Sequence, residues 1–140
     1  MQDNLLRAIE VLKSGDFTLA MVSDDNIITK KERGVKPLLE LINDNNDYSD
    51  YCAADKVIGR AAAFLYVILN VKTIHCGVLS ENAARVFSQY NISYSYDKIV
   101  PYIENRQKNG VCPMEKATLN CETPHEALEC IKVTLKELMA

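Results

Sequence analysis

Three short stretches of this 140-residue chain carry side chains suited to chemistry. The first runs Cys52-Ala53-Ala54-Asp55-Lys56-Val57-Ile58-Gly59-Arg60-Ala61-Ala62-Ala63. It brings a carboxylate, an amine and a guanidinium close together, with Gly59 and small side chains that let a ligand or another backbone approach. Periodicity predicts a helix from Asp55 to Asn70, which would set Lys56 and Arg60 one turn apart on one face. Helix starts leave N–H groups unpaired and attract anions, so this pair could hold a phosphate or carboxylate. Asp55 has an equally ordinary role as the cap of that helix.

The second stretch is basic: Lys30, Lys31, Arg33 and Lys36 bracket Gly34, just ahead of a helix start at Pro37. Strand, glycine and helix in that order can make a phosphate-binding turn, although the GxxxxGK spacing of a Walker loop is missing. A solvated basic loop has the same composition. The third stretch is Cys112-Pro113-Met114-Glu115. A helix beginning at Pro113 would lower the thiol pKa of Cys112 and make it a candidate nucleophile, with Glu115 at the third helical position. Packing or capping is the plainer role for Cys112.

Other chemistry is disfavoured. His75 and Cys76 are neighbours on a predicted strand, so they face opposite ways and make no dyad. The five cysteines form no CxxC pair, and their odd number suits reduced thiols in a reducing compartment. Cys121-x3-His125, near Cys112 and Cys130, invites a test for zinc. Thr123-Pro124 reads as a helix start, however, and places His125 and Cys130 on diverging faces. The cysteines are expected to be small core hydrophobes.

The elements that must position these residues follow from hydrophobic spacing. Asn4 to Lys13 is a predicted helix closed by Gly15; Phe17 to Ser23 and Ile27 to Lys30 form a hairpin about Asp24-Asp25-Asn26. A second helix runs from Pro37 to Asn43, followed by a polar loop to Asp50. The Asp55 helix is apolar around most of its circumference and must be buried. Val71 to Leu79 reads as a strand, Ser80 as a cap, Glu81 to Tyr90 as a helix that Asn91 can close, and Ile92 to Tyr96 as a strand. Asp97 then opens a short helical segment toward Arg106. The last helix starts at the capping box Thr123-x-x-Glu126 and carries a stripe of Leu128, Ile131, Leu135 and Leu138. Strands alternating with helices after a hairpin argue for a mixed sheet covered on both faces.

Composition sets the outer bounds. A hydrophobic content of 48% and a charged content of 25% fit one globular domain over residues 1–140. A net charge of −3, with no aromatic residues interleaved among the basic ones, disfavours nucleic acid as a partner. The longest apolar run, Ala61 to Leu69, is too short to span a bilayer, and the N-terminus has no signal-peptide core. The expected location is the cytoplasm.

Three blocks in order resemble a small family of uncharacterised prokaryotic proteins with a cytidine-deaminase-like fold and no established activity. They are Gly34-Val35-Lys36-Pro37-Leu38-Leu39-Glu40-Leu41, Ala54 to Ala63, and Val111-Cys112-Pro113-Met114-Glu115. The resemblance covers nearly the whole chain and implies a three-layer α/β/α sandwich on a mixed sheet of four or five strands. Zinc deaminases carry His-x-Glu or Cys-x-Glu at one buried helix start and Pro-Cys-x-x-Cys at the next. Here the corresponding stretches read Ala53-Ala54-Asp55-Lys56 and Leu79-Ser80-Glu81-Asn82-Ala83, so no metal site of that kind can be built. The resemblance implies instead a metal-free pocket lined by Asp55, Lys56, Ser80 and Glu81, with Cys112 to Glu115, including Pro113, as lid or wall.

The leading functional expectation is that this pocket takes a nucleotide-like or other phosphate-bearing small molecule. Asp55 and Lys56 stand at its reactive end, and Lys36 and Arg60 serve as anion contacts beside Gly34 and Gly59. No cofactor is identified. Two alternatives belong to other classes. One is a non-catalytic regulatory or scaffold module, a homodimer using Tyr48, Tyr51, Tyr94, Tyr96 and Tyr102 as contact surface. The other is an enzyme built on Cys112.

Overall fold

The computed structural model describes residues 2–139. Helix α1 (Gln2–Lys13) leads into the hairpin β1 (Leu19–Val22) and β2 (Ile27–Lys30), followed by α2 (Lys36–Asn43). Three strand–helix units come next: β3 (Cys52–Ile58) with α3 (Arg60–Ile68), β4 (Thr73–Ser80) with α4 (Glu81–Gln89), and β5 (Ser93–Val100) with the short α5 (Pro113–Thr118). Helix α6 (Pro124–Met139) closes the chain. The five strands form one mixed sheet in the order β2-β1-β3-β4-β5. β1 runs antiparallel to both β2 and β3, while β3, β4 and β5 are parallel.

Two clusters of buried side chains give the sheet a helix layer on each face. On one face Ala8 and Leu12 of α1 pack on Ala20, Val22 and Ala54. On the other, Phe64, Leu65 and Tyr66 of α3 and Val86 and Phe87 of α4 cover Met21, Ala53, Ile74 and Cys76. Burying each of these larger side chains contributes roughly 1.5–3 kcal/mol. Helix α6 lies on α3 through the same core, using Ala127 and Ile131. The chain is thus an α/β protein with a mixed five-stranded sheet between helices.

Helix ends follow local rules. Asn45, Asn70 and Asn91 each sit just past a helix with φ of 57°, 66° and 59°, the left-handed conformation that asparagine tolerates better than most residues. Ser80 caps α4, its Oγ accepting from the Ala83 N–H at 3.0 Å. Thr123 Oγ1 likewise accepts from the Glu126 N–H at 3.2 Å, as the capping box predicts.

Two sequence expectations are corrected. Asp55 does not start a helix; it lies within the central strand β3, and α3 begins at Arg60 with Gly59 as its N-cap. Ala53 and Ala54, which precede the expected helix start, are instead fully buried in β3 between two helix layers, where only small side chains fit. Asp97 likewise opens no helix. β5 continues through it to Val100, paired in parallel with β4 up to Ser80.

Candidate functional site

The C-terminal ends of parallel strands are where open α/β sheets place ligands, because helix starts converge there. In this protein β3 ends at Ile58 and turns through Gly59 into α3, and β4 ends at Ser80, which opens α4. Between these two helix starts lies the carboxylate of Glu115, reaching in from α5. Its Oε1 accepts from the Arg60 N–H at 2.9 Å and from the Ser80 hydroxyl at 2.9 Å. Its Oε2 accepts from the Ile103 N–H at 2.7 Å. Glu115 is buried, and these three partners are all donors. Gly59 lets it come close: a Cβ there would sit 3.0 Å from Oε2 and 3.0 Å from Ile103.

Arg60 is fixed by the same junction. Its Nε donates to the Thr118 carbonyl at 2.8 Å, Nη2 to Cys121 at 2.8 Å and Nη1 to Asn82 at 3.2 Å. The guanidinium also stands over the Phe64 ring, 5.0 Å from its centre. It therefore ties the end of α5 and the start of α4 to α3. The structure places it as an internal brace rather than as a hand extended to an anion.

A cleft of about 470 Å3 opens beside Glu115. Its walls are Asn82 of α4, Pro101 and Tyr102 just past β5, Val111, and Glu115, Lys116 and Leu119 around α5. Tyr102, Val111 and Leu119 are exposed apolar or aromatic surface. Asn82 and Lys116 add an amide and an ammonium. The lining is otherwise mainly apolar. The sequence marks Tyr102 only as contact surface and gives Asn82 and Lys116 no role; the three are joined only by the way β5, α4 and α5 meet.

The other predicted residues are dispersed. Asp55 lies on β3 facing α3, with Oδ2 accepting from the Tyr66 hydroxyl at 2.7 Å and Oδ1 from the Val57 N–H at 3.3 Å. Burial pushes its pKa up to about 7, against these hydrogen bonds, which pull it down. The same burial, together with the nearby Asp55 charge, drives the Tyr66 and Cys76 groups upward. Asp55 does not line the cleft. Lys56 is exposed next to it, its backbone N–H bonded to the Thr18 carbonyl at 3.0 Å. Ser80 belongs to the junction, whereas Glu81 is an exposed first-turn residue of α4.

Gly34 and Lys36 follow β2, at the edge of the sheet opposite β5. Gly34 has φ +78° in an open turn, Lys36 is exposed, and α2 has no side-chain cap. Cys112 is the half-buried N-cap of α5; its N–H donates to Ile103 and its carbonyl accepts from Lys116. Pro113 is exposed at the first position of that helix. The tyrosines divide: Tyr48 is buried, Tyr51 and Tyr94 are half-buried, and Tyr96 and Tyr102 are exposed.

His75 lies on the face away from α3, where Nδ1 meets Ser95 Oγ at 2.7 Å and Nε2 meets Asp97 Oδ1 at 3.1 Å. A hydrolytic triad uses the two ring nitrogens the other way round and adds oxyanion donors. Here the three residues tie edge strand β5 to β4. Among the described residues no three His, Cys, Asp or Glu side chains converge as a metal site requires. No described helix is long and apolar enough to cross a membrane.

Comparison with known proteins bears on the whole domain. Residues 7–135 match the family model described as TM1506, a domain of unknown function (DUF1893). A crystal structure of a DUF1893 family protein (TM1506) from Thermotoga maritima is similar at a TM-score of 0.82 and 31% identity, covering 98% of this chain and 92% of that one. No curated protein matches.

Proposed function

This chain belongs to the DUF1893 family, and we propose that it binds a small, nucleotide-like molecule in the cleft beside Glu115. The observation that carries this reading is the carboxylate of Glu115 held by three donors at the meeting of two helix starts, with the cleft directly beside it. Tyr102 offers a ring on which a base can stack. Asn82 can donate to and accept from a base edge, and Lys116 supplies the cation for a phosphate. Pro101, Val111 and Leu119 shield the flat part of such a ligand from water.

The strand order, with an antiparallel first pair and two helix starts above β3 and β4, supports a cytidine-deaminase-like lineage. A deaminase holds zinc at that junction through cysteine or histidine. This chain fills that junction with the Glu115 carboxylate, which takes the Arg60 N–H, the Ser80 hydroxyl and the Ile103 N–H. The odd thiol count supports a cytoplasmic setting.

Binding without turnover is favoured by the position of Asp55. It is buried against Tyr66 and its own strand, and neither it nor Lys56 lines the cleft beside Glu115. A thermal-shift series with nucleosides, nucleoside monophosphates and inorganic phosphate tests the proposal. Nucleoside monophosphates should raise the melting temperature of the wild type, and less so that of Tyr102→Ala and Lys116→Ala. No shift with any of them, or equal shifts in all three proteins, would refute it.

A further inference from the structure

The chain places two thiols together on the far side of α5. Cys121, just past α5, and Cys130, on the second turn of α6, have sulfurs 3.5 Å apart. Their nine-residue separation gave no hint of this, because no CxxC spacing is involved. The turn at Cys121 and the helix start at Thr123-Pro124 fold the segment back on itself. Cys121 is buried, whereas Cys130 is half-buried and lines a second hollow of about 330 Å3 with Ala117, Glu129, Val133 and Thr134. One thiol of the pair is thus reachable from solvent and the other lies behind it.

We propose that Cys121 and Cys130 form a dithiol site that is oxidised reversibly to a disulfide by low-molecular-weight disulfides. The thiolate of Cys130 attacks one sulfur of the small disulfide, forming a mixed disulfide and releasing one equivalent of small thiol. Cys121, losing its proton to solvent, then attacks the Cys130 sulfur and releases the second equivalent. Two protein thiols give up two electrons, and the small disulfide becomes two thiols. Cys121 acts second because it is covered; burial also pushes its thiol up to about 11, with its contact to Cys130 adding to the shift. The short movement from contact to bond closes the exit of α5 onto α6. The Cys121 carbonyl is one of the three that hold Arg60, so the bond is made at the brace of the helix junction. This inference stands apart from the ligand proposed for the cleft.

The test uses the full chain in buffers of graded oxidised and reduced glutathione. Glu122, Glu126 and Glu129 lie between the two cysteines, so cleavage after glutamate leaves two peptides joined only by the bond in question. The expected product is an intact mass lower by two hydrogens, with the Cys121 and Cys130 peptides linked. Cys121→Ser should stop at one glutathione carried on Cys130, and Cys130→Ser should leave Cys121 unmodified. Reducing buffer should return the wild-type thiols. A wild type that accumulates glutathione on Cys130 without the internal bond, or that oxidises elsewhere first, overturns the proposal.

Discussion

Glu115 Oε1 and the Arg60 N–H lie 2.9 Å apart although 55 residues separate them along the chain. That single contact places a carboxylate from α5 on the first turn of α3, and the Ser80 hydroxyl extends it to α4. A carboxylate at a helix start satisfies N–H groups that have no partner within the helix and complements the helix dipole. Removing it leaves three buried or half-buried donors without their acceptor. Glu115→Ala should therefore lower stability by about 3 kcal/mol. Glu115→Gln should lose less, because its one carbonyl oxygen still accepts. Urea denaturation midpoints measure both; equal stability of all three proteins would show that the junction is held by other contacts.

Asp55 gives stability a distinctive pH dependence. An unfolded aspartate titrates near 3.9, whereas burial raises Asp55 in the folded protein to about 7. Between these values the folded chain keeps a proton that the unfolded chain has lost. Its contribution is full below about pH 3.9 and declines as pH rises to about 7, a change on the order of 4 kcal/mol. Asp55→Asn removes the charge and retains an acceptor for the Val57 N–H. Relative to wild type, this variant should gain stability steadily from pH 4 to pH 7 and level off above. Denaturation curves at several pH values read this directly, and a constant difference would contradict it.

Gly77 is a packing requirement on the central strands. A Cβ there would stand 2.6 Å from the Lys56 carbonyl oxygen, which belongs to backbone and cannot swing away. Gly77→Ala should cost about 2–3 kcal/mol through displacement of β4 from β3. Gly110, whose added Cβ would meet Asn105 at an ordinary 3.5 Å, is the matched control and should change little. Thermal melts of the two variants decide the point.

Arg60 separates bracing from anion binding. With three carbonyls on its guanidinium, Arg60→Lys should reduce stability by about 2 kcal/mol, since an ammonium cannot span the same fork. Ligand affinity, measured at a temperature where the variant is folded, should stay within a few-fold of wild type. Unchanged stability with strongly weakened binding would instead make Arg60 the anion contact that its sequence position suggests.

Much of the fold could be read from spacing. The hairpin, the cap at Ser80, the stop at Asn91 and the start of α6 are local signals, and each formed where those signals lay. The central strand was hidden because its residues obey tertiary demands. Ala53 and Ala54 favour helix alone but are selected here by two helix layers, and Asp55 looks like a cap while its carboxylate turns toward Tyr66. The site was legible only in part. Arg60, Ser80 and Glu115 stood out by residue type and do meet, but in a hydrogen-bonded junction. Asn82 and Lys116 carry no local pattern and Tyr102 reads only as surface, so the packing of α5 against the end of β5 is what brings the three together.

Amide chemical-shift mapping tests most directly whether a nucleotide-like molecule binds in the cleft beside Glu115. On titration with a nucleoside monophosphate, the largest shifts should fall together on Asn82, Tyr102, Val111, Lys116 and Leu119, the cleft beside Glu115. Shifts gathered around Asp55 and Lys56, or around Gly34 and Lys36, or none above those caused by inorganic phosphate, would contradict it.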